Sequence, residues 1–197
     1  VIKIAPGEYT ETANVVLKNY VDVEGSGQNT TTINCACSSN ALDASAAVIS
    51  AGAITAEIRH LTINNTGGSN NFAFGVYTNG VADGSFSMLH VTATATGSTG
   101  NYGVNNTSSS PSMNNVTATG EKIADNGLST AFGVYNESSS PSIRNSSITG
   151  STNSIVNDGT SSVKVADTAL GGEADGGVKL CVGAYTTGFV ALDANCG

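Results

Sequence analysis

Tryptophan is absent from this 197-residue chain, and proline occurs only 3 times. Charge is scarce too: 7 Lys and Arg stand against 15 Asp and Glu, a net charge of −8. Only 11% of residues are charged, under half of the about 25% usual in soluble domains. With so few cations there is no basic patch, which excludes nucleic acid and anionic membrane surfaces as partners. Acidic polymers such as pectate are disfavoured as well, unless a cation bridges. No apolar run approaches the roughly 20 residues of a membrane span, and no signal-peptide pattern is present. The chain opens on a strand-like stretch, Val1-Ile2-Lys3-Ile4, so it is expected to be a mature part or fragment of a longer secreted protein. A helical period is missing throughout.

The chain contains 24 Gly, many Ser, Thr, Asn and Ala, and an apolar fraction of 39%. Disordered chains combine low hydrophobicity with high charge, whereas here charge is low and apolar residues recur in a pattern. Tyr102-Gly-Val-Asn-Asn-Thr-Ser-Ser-Ser-Pro-Ser-Met-Asn-Asn-Val-Thr-Ala-Thr119 matches Phe132-Gly-Val-Tyr-Asn-Glu-Ser-Ser-Ser-Pro-Ser-Ile-Arg-Asn-Ser-Ser-Ile-Thr149 position for position, 30 residues later. Phe74-Gly75-Val76-Tyr77 opens an earlier copy. A shorter core, apolar-x-polar-x-x-apolar, extends the series: Ile58 to Ile63, Met88 to Ala93, Met113 to Ala118, Ile143 to Ile148 and Val165 to Leu170, with Leu17 to Asp22 as a weaker member.

Period-2 alternation on both sides of the central polar residue describes two short strands meeting at a sharp corner. The corner falls on His60, His90, Asn115, Asn145 and Asp167. Asn and Asp tolerate the left-handed conformation that such a corner needs. A repeat of about 22–30 residues without helix cannot bury its own inner face, so coils must stack. The fold class is therefore all-β: a single-stranded right-handed parallel β-helix, or β-solenoid, of about seven or eight coils. It is expected to form one domain over 1–197 with a capping segment at 178–197. The inner columns are Ile58, Met88, Met113, Ile143, Val165 and Ile63, Ala93, Ala118, Ile148, Leu170, with Val76, Val104, Val134 as a third and Phe74, Tyr102, Phe132 as an aromatic stack. Coil length is expected to vary mainly at Thr66 to Asn71, Thr96 to Asn101 and Gly120 to Thr130, on one edge.

Four cysteines allow three pairings. Cys181 and Cys196 bracket a short C-terminal segment, and a disulfide there staples the last coil. Cys35 and Cys37 lie two apart on one strand face, either bridged or free. A disulfide framework points to an extracellular or cell-surface location. No metal site or cofactor is expected, because no further ligands gather near these cysteines.

The first third resembles the pectin-lyase-like superfamily, and most closely the N-terminal segment of pectin methylesterases. The resembling residues are Ile4-Ala-Pro-Gly7-Glu8-Tyr9-Thr10-Glu11, Asn14-Val-Val-Leu-Lys18, Val21-Asp-Val-Glu-Gly25-Ser-Gly27 and Thr32-Ile33. The later coils resemble right-handed β-helix repeat proteins of bacterial and phage surfaces. The resemblance implies a fold rather than an activity. The Gln-Asp-Thr, Asp-Phe-Ile-Phe-Gly and Leu-Gly-Arg-Pro-Trp segments of pectin methylesterases are missing, as are the Gly-His-Gly and Arg-Ile-Lys segments of polygalacturonases.

Individual residues read mostly as scaffold. His60 and His90 share the corner column with Asn115, Asn145 and Asp167, which makes them a structural ladder before an acid–base pair. Asp83, Glu121, Asp125 and Glu137 are loop carboxylates that a glycosidase would need to bring together. Ser108 to Ser110 and Ser138 to Ser140 are turns, since no Gly-x-Ser-x-Gly elbow surrounds them. The outward positions after the corner, Thr62, Asn64, Thr92, Thr94, Thr96, Thr117, Thr119, Ser147 and Thr149, form a hydroxyl face and are the candidate ligand-binding residues. No catalytic residue is assigned. The expected function is a non-catalytic extracellular module with a structural, adhesive or glycan-binding role, partnered by a polysaccharide or cell-surface glycan and capable of self-assembly into an oligomer or fibre. The alternatives are a pectin esterase- or lyase-like enzyme and an ice-binding protein acting through the Thr face.

Overall fold

A computed structural model describes residues 1–123 and 129–197. Asp125, one of the four loop carboxylates, lies outside the described residues. The chain forms a 13-stranded and a 7-stranded sheet, and every pairing between named strands is parallel. Among the described residues the only helix is a 3-10 turn at Ala44–Ala46, and no helix is long and apolar enough to cross a membrane.

The larger sheet is bent. Strands Ala56–Asn65, Phe86–Ala95 and Ser112–Gly120 run through the corner without a break. Burial alternates on each side and loses phase at the corner residue, where φ is 56° at His60, 52° at His90 and 53° at Asn115. Asn145 and Asp167 repeat the left-handed geometry, at 49° and 47°. One residue in that conformation turns the chain while keeping both flanking strands inward-facing.

The inner columns pair as the repeat requires. Val23, Ile58, Met88, Met113, Ile143, Val165 and Cys181 stack in one, and Ile33, Ile63, Ala93, Ala118, Ile148 and Leu170 in the next. Ile58, Ile63, Met113, Ile143 and Ile148 are fully buried. Four differences from the sequence reading have physical causes. The rung before Ile58 is Val23–Glu24, not Leu17 to Asp22, because Leu17 N–H instead donates to the Ser50 carbonyl of the smaller sheet. The spacing ranges from 16 residues (Val165 to Cys181) to 35 (Val23 to Ile58), wider than expected. The longest coil carries an insertion at 25–30, at the corner itself, as well as on the expected edge. Finally, Phe74, Tyr102 and Phe132 do stack, at 5.2 and 5.0 Å, but outside the main core. Gly75 faces Ala93 and Val76 joins the core, so Phe74 and Tyr77 project together to the other side, under Leu42 to Ala47.

Polar side chains fill the remaining corners. Asn65 donates to the carbonyls of Ala46 and Phe74 and accepts from the Cys37 and Gly67 amides. Ser109 and Ser139, both buried, accept from the amides of Val81 and Ser109 respectively, which makes the Ser-Ser-Ser-Pro segments stacked turns. Both cysteine pairs are bonded, Cys35 to Cys37 and Cys181 to Cys196. Beyond Cys181 the chain doubles back: Cys181 N–H donates to Ala194, and Tyr185 bridges Ala191 in antiparallel fashion. This return covers the edge of the last rung, a strand edge that otherwise invites pairing.

Carboxylates tie down the turns. The Ser138 amide and the Ser161 hydroxyl hold Asp158 below the usual carboxylate range, and the Gly197 and Asn195 amides do the same for Asp193. The Ser45 hydroxyl lowers Asp43, and the Arg59 guanidinium lowers Glu24. A depressed folded-state pKa stabilises above the unfolded value and loses that stabilisation as pH falls through the folded one. We therefore expect a constant denaturation midpoint above pH ~5 and a progressive fall below about 4. Asp158→Asn is expected to flatten that fall. A midpoint unchanged down to pH ~3 would contradict this assignment.

Candidate functional site

The corner and the strand after it frame a groove of about 270 Å³. One side carries His90, Asn115 and Asn145, and the other Thr117, Ser147 and Ala169, with Val116 and Ser146 between them. The second row is continuous in register: Thr32, Thr62, Thr92, Thr117, Ser147, Ala169 and Tyr185 occupy successive rungs. Asn34, Asn64, Thr94, Thr119, Thr149 and Gly171 form the next row outward. Thr96 falls one residue past its strand, at the following turn.

The predicted residues thus share one surface but differ in availability. Gln28 lies across the first rungs: Thr62 donates to its carbonyl, and its amide reaches the Thr92 hydroxyl at 3.4 Å. Asn64 donates to Asn34 at 3.1 Å. The Thr117 and Ser147 hydroxyls have no side-chain partner among the described residues. In the ladder, the His60 and His90 rings stack at 5.0 Å and 15°, and Asn115 Nδ2 meets His90 Nε2 at 3.3 Å. Asn145 leaves the column and donates to Asn114 at 3.1 Å, which frees its carbonyl oxygen. Exposed Asn115 and Asn145 therefore present amide oxygens beside free hydroxyls.

Two residues close the ends, and the sequence reading named neither. Gln28 belongs to the 25–30 insertion. That loop passes so close to the neighbouring coil that a Cβ at Gly25 would sit 2.4 Å from the His60 carbonyl, so only glycine fits. Tyr185 comes from the last rung and stacks on Phe189 at 5.7 Å and 7°. Gln28 has no counterpart in other coils; Tyr185 holds the row position after Ala169, but Gly183 and Thr186 depart there from the apolar-x-polar-x-x-apolar core.

Among the described residues, charged groups converge at one place, on the strand face before the corner. Arg59 bridges Glu57 at 2.5 Å and Glu24 at 3.0 Å, with Lys3 3.8 Å from Glu24. Ser87 donates to the other Glu57 oxygen. Every group there is paired, and the Arg59 hydrogen bond holds Glu24 ionised. Asp83 and Glu121 are exposed on different loops, and Glu137 accepts from Thr107 at 3.4 Å. Glu121 lies before the strand Thr130–Glu137 and Glu137 at its end. No three His, Cys, Asp or Glu side chains gather as a metal site among the described residues.

Stacked parallel rungs with a left-handed corner column define a right-handed parallel β-helix of the pectin-methylesterase type. The pectin methylesterase from carrot superposes with a TM-score of 0.59 at 16% identity, over 98% of this chain and 66% of that enzyme's length. PemA from Erwinia chrysanthemi gives 0.58 at 13%, over 98% and 82%. A pectin methylesterase solved in complex with a hexasaccharide gives 0.57 at 12%, over 98% and 82%. At these identities the likeness is one of fold. No protein-family model and no curated protein sequence matches the chain.

Proposed function

We propose that this chain is a non-catalytic, extracellular glycan-binding β-helix domain spanning 1–197, with 178–197 as its cap. The carrying observation is the groove. Free hydroxyls at Thr117 and Ser147, amide oxygens at Asn115 and Asn145, and the Tyr185 ring surround a space without Lys or Arg. Hydroxyl-rich ligands need such a mixture of donors, acceptors and one apolar face. A related scaffold accommodates a hexasaccharide in one pectin methylesterase. Two disulfides fit an oxidising compartment.

Catalysis on a polysaccharide is the weaker reading. General acid catalysis needs a carboxyl with a raised pKa, whereas Glu24, in the one convergent cluster, is lowered. Ice binding needs an extended, uncovered array, and Gln28 crosses Thr62 and Thr92.

The test is a glycan array on the full chain, followed by calorimetry with the Asn145→Ala and Ser147→Tyr variants. Each variant is expected to weaken binding on the order of ten-fold, equivalent to about 1.4 kcal/mol, with an unchanged β-sheet spectrum. Hydrolysis or elimination on a pectin panel, abolished by substituting loop carboxylates, would overturn the non-catalytic assignment.

A further inference from the structure

We propose that the groove, closed at both ends, binds a short neutral oligosaccharide whole and excludes a polymer. This rests on the glycan-binding reading and concerns the same site. The argument begins with the two ends. A repeat scaffold by itself yields an open trough, because each rung adds the same outward side chains and nothing interrupts the row. Here the row is closed twice, by a loop that does not repeat and by a bulky ring on its last rung.

At one end the loop 25–30 folds over the sheet. Its course is fixed by the backbone: Gly25 N–H donates to Arg59, Gly27 N–H donates to His60, and Ser26 N–H donates to the Thr31 hydroxyl. These bonds place Gln28 across the Thr62 and Thr92 rungs. At the other end Tyr185 stands on the rung after Ala169. Thr186 N–H donates to Val190, Leu192 N–H donates to Ala184, and the Cys181–Cys196 bond ties the return segment to the last coil. Tyr185 is therefore backed by the cap, with Phe189 stacked against it.

Between these walls lie the rungs of Thr117, Ser147 and Ala169. Four steps of about 4.8 Å separate Thr92 from Tyr185, which bounds the occupant to a short oligosaccharide. A polymer passing through would have to cross Gln28 and Tyr185. The small Ala169 side chain leaves room directly before the tyrosine ring, where the apolar face of a terminal sugar can lie against it. Charge selects neutral sugars: no cation lines the groove, Asp167 stands on the corner beside Ala169, and the chain carries −8 overall. Asp167 and the net negative charge of the chain disfavour an acidic occupant.

The experiment uses the full, oxidised chain with di- to hexasaccharides of the cello-, xylo-, manno- and laminari-series, their parent polymers, and oligogalacturonides. Calorimetry should show affinity rising with length and then levelling off for one neutral series. The intact polymer of that series should not bind, and endo-cleavage down to short oligosaccharides should restore binding. Tyr185→Ala should weaken oligosaccharide binding on the order of ten-fold. Gln28→Ala removes the contact with Thr92 but keeps the carbonyl bond to Thr62 and the Tyr185 wall, and should leave the polymer excluded. Intact mass and circular dichroism check that both variants fold with their disulfides formed. If intact polymer binds as well as its oligosaccharides, or oligogalacturonides bind best, this proposal falls while the glycan-binding function stands. If none of these sugars binds, the function itself falls and the proposal with it.

Discussion

Replacing Asn136 by alanine is expected to destabilise the fold by about 2–5 kcal/mol, while replacing Asn105 by leucine is expected to stabilise it by about 1–2 kcal/mol. Asn105 and Asn136 both sit on the smaller sheet, in strands Gly100–Thr107 and Thr130–Glu137, and both are fully buried. Asn136 is the centre of a hydrogen-bonded chain. Thr78 donates to Asn106 at 2.7 Å, Asn106 to Asn136 at 2.9 Å, and Asn136 to Asn157 at 2.7 Å. Truncating it strands the Asn106 donor and the Asn157 acceptor inside the protein, and each unpaired group costs about 1–3 kcal/mol. Asn105 lies between Tyr77 and Tyr135 in register, and neither its amide nitrogen nor its oxygen has a partner. Its desolvation is uncompensated already, so an apolar side chain of similar length removes a penalty. Guanidinium denaturation of both variants checks the pair. Equal losses from the two substitutions would show that buried position, not hydrogen bonding, sets the outcome.

Opening the Cys181–Cys196 staple with a double Cys→Ser substitution is expected to cost about 3 kcal/mol, as loop-closure entropy predicts for a separation near 15 residues. The separation is 15. Cys181 ends the inner column above Val165, and both sulfurs are buried, so the bond also closes the end of the core. Amide exchange should rise first at Val178–Val182 and Tyr185–Thr186 before the remaining coils respond. Disrupting Cys35–Cys37 should cost clearly less, because a two-residue separation constrains little of the unfolded chain. Denaturation midpoints of the two double variants decide the order, and a reversed order would defeat this assignment.

Much of the fold could be read from the repeat. The five corner residues were legible because loss of period-2 phase at a single polar residue has one structural solution. Stacked copies then fixed the inner columns. The buried Thr78–Asn106–Asn136–Asn157 ladder was missed. Its members sit in the repeated strands, but a sequence does not say which face of an all-buried strand turns inward. The displacement of Phe74, Tyr102 and Phe132 from the main core has the same origin: Gly75 and Val76 both face the core, and alternation fails there.

The site was half legible. Thr62, Thr92, Thr117 and Ser147 form one row, as their spacing from the corner demanded. Their differing availability depends on Gln28, which arrives from the second coil, and on Tyr185, which the returning cap supports. The sequence by itself determined the class of fold, the corners, the inner columns and the outward hydroxyl rows, because all of these are local periodicities repeated from coil to coil. Tertiary structure alone decided which hydroxyls remain free, where the candidate groove ends and that Cys35 joins Cys37. Those features come from segments that occur once, and a contact between two non-repeating segments leaves no period in the sequence to read.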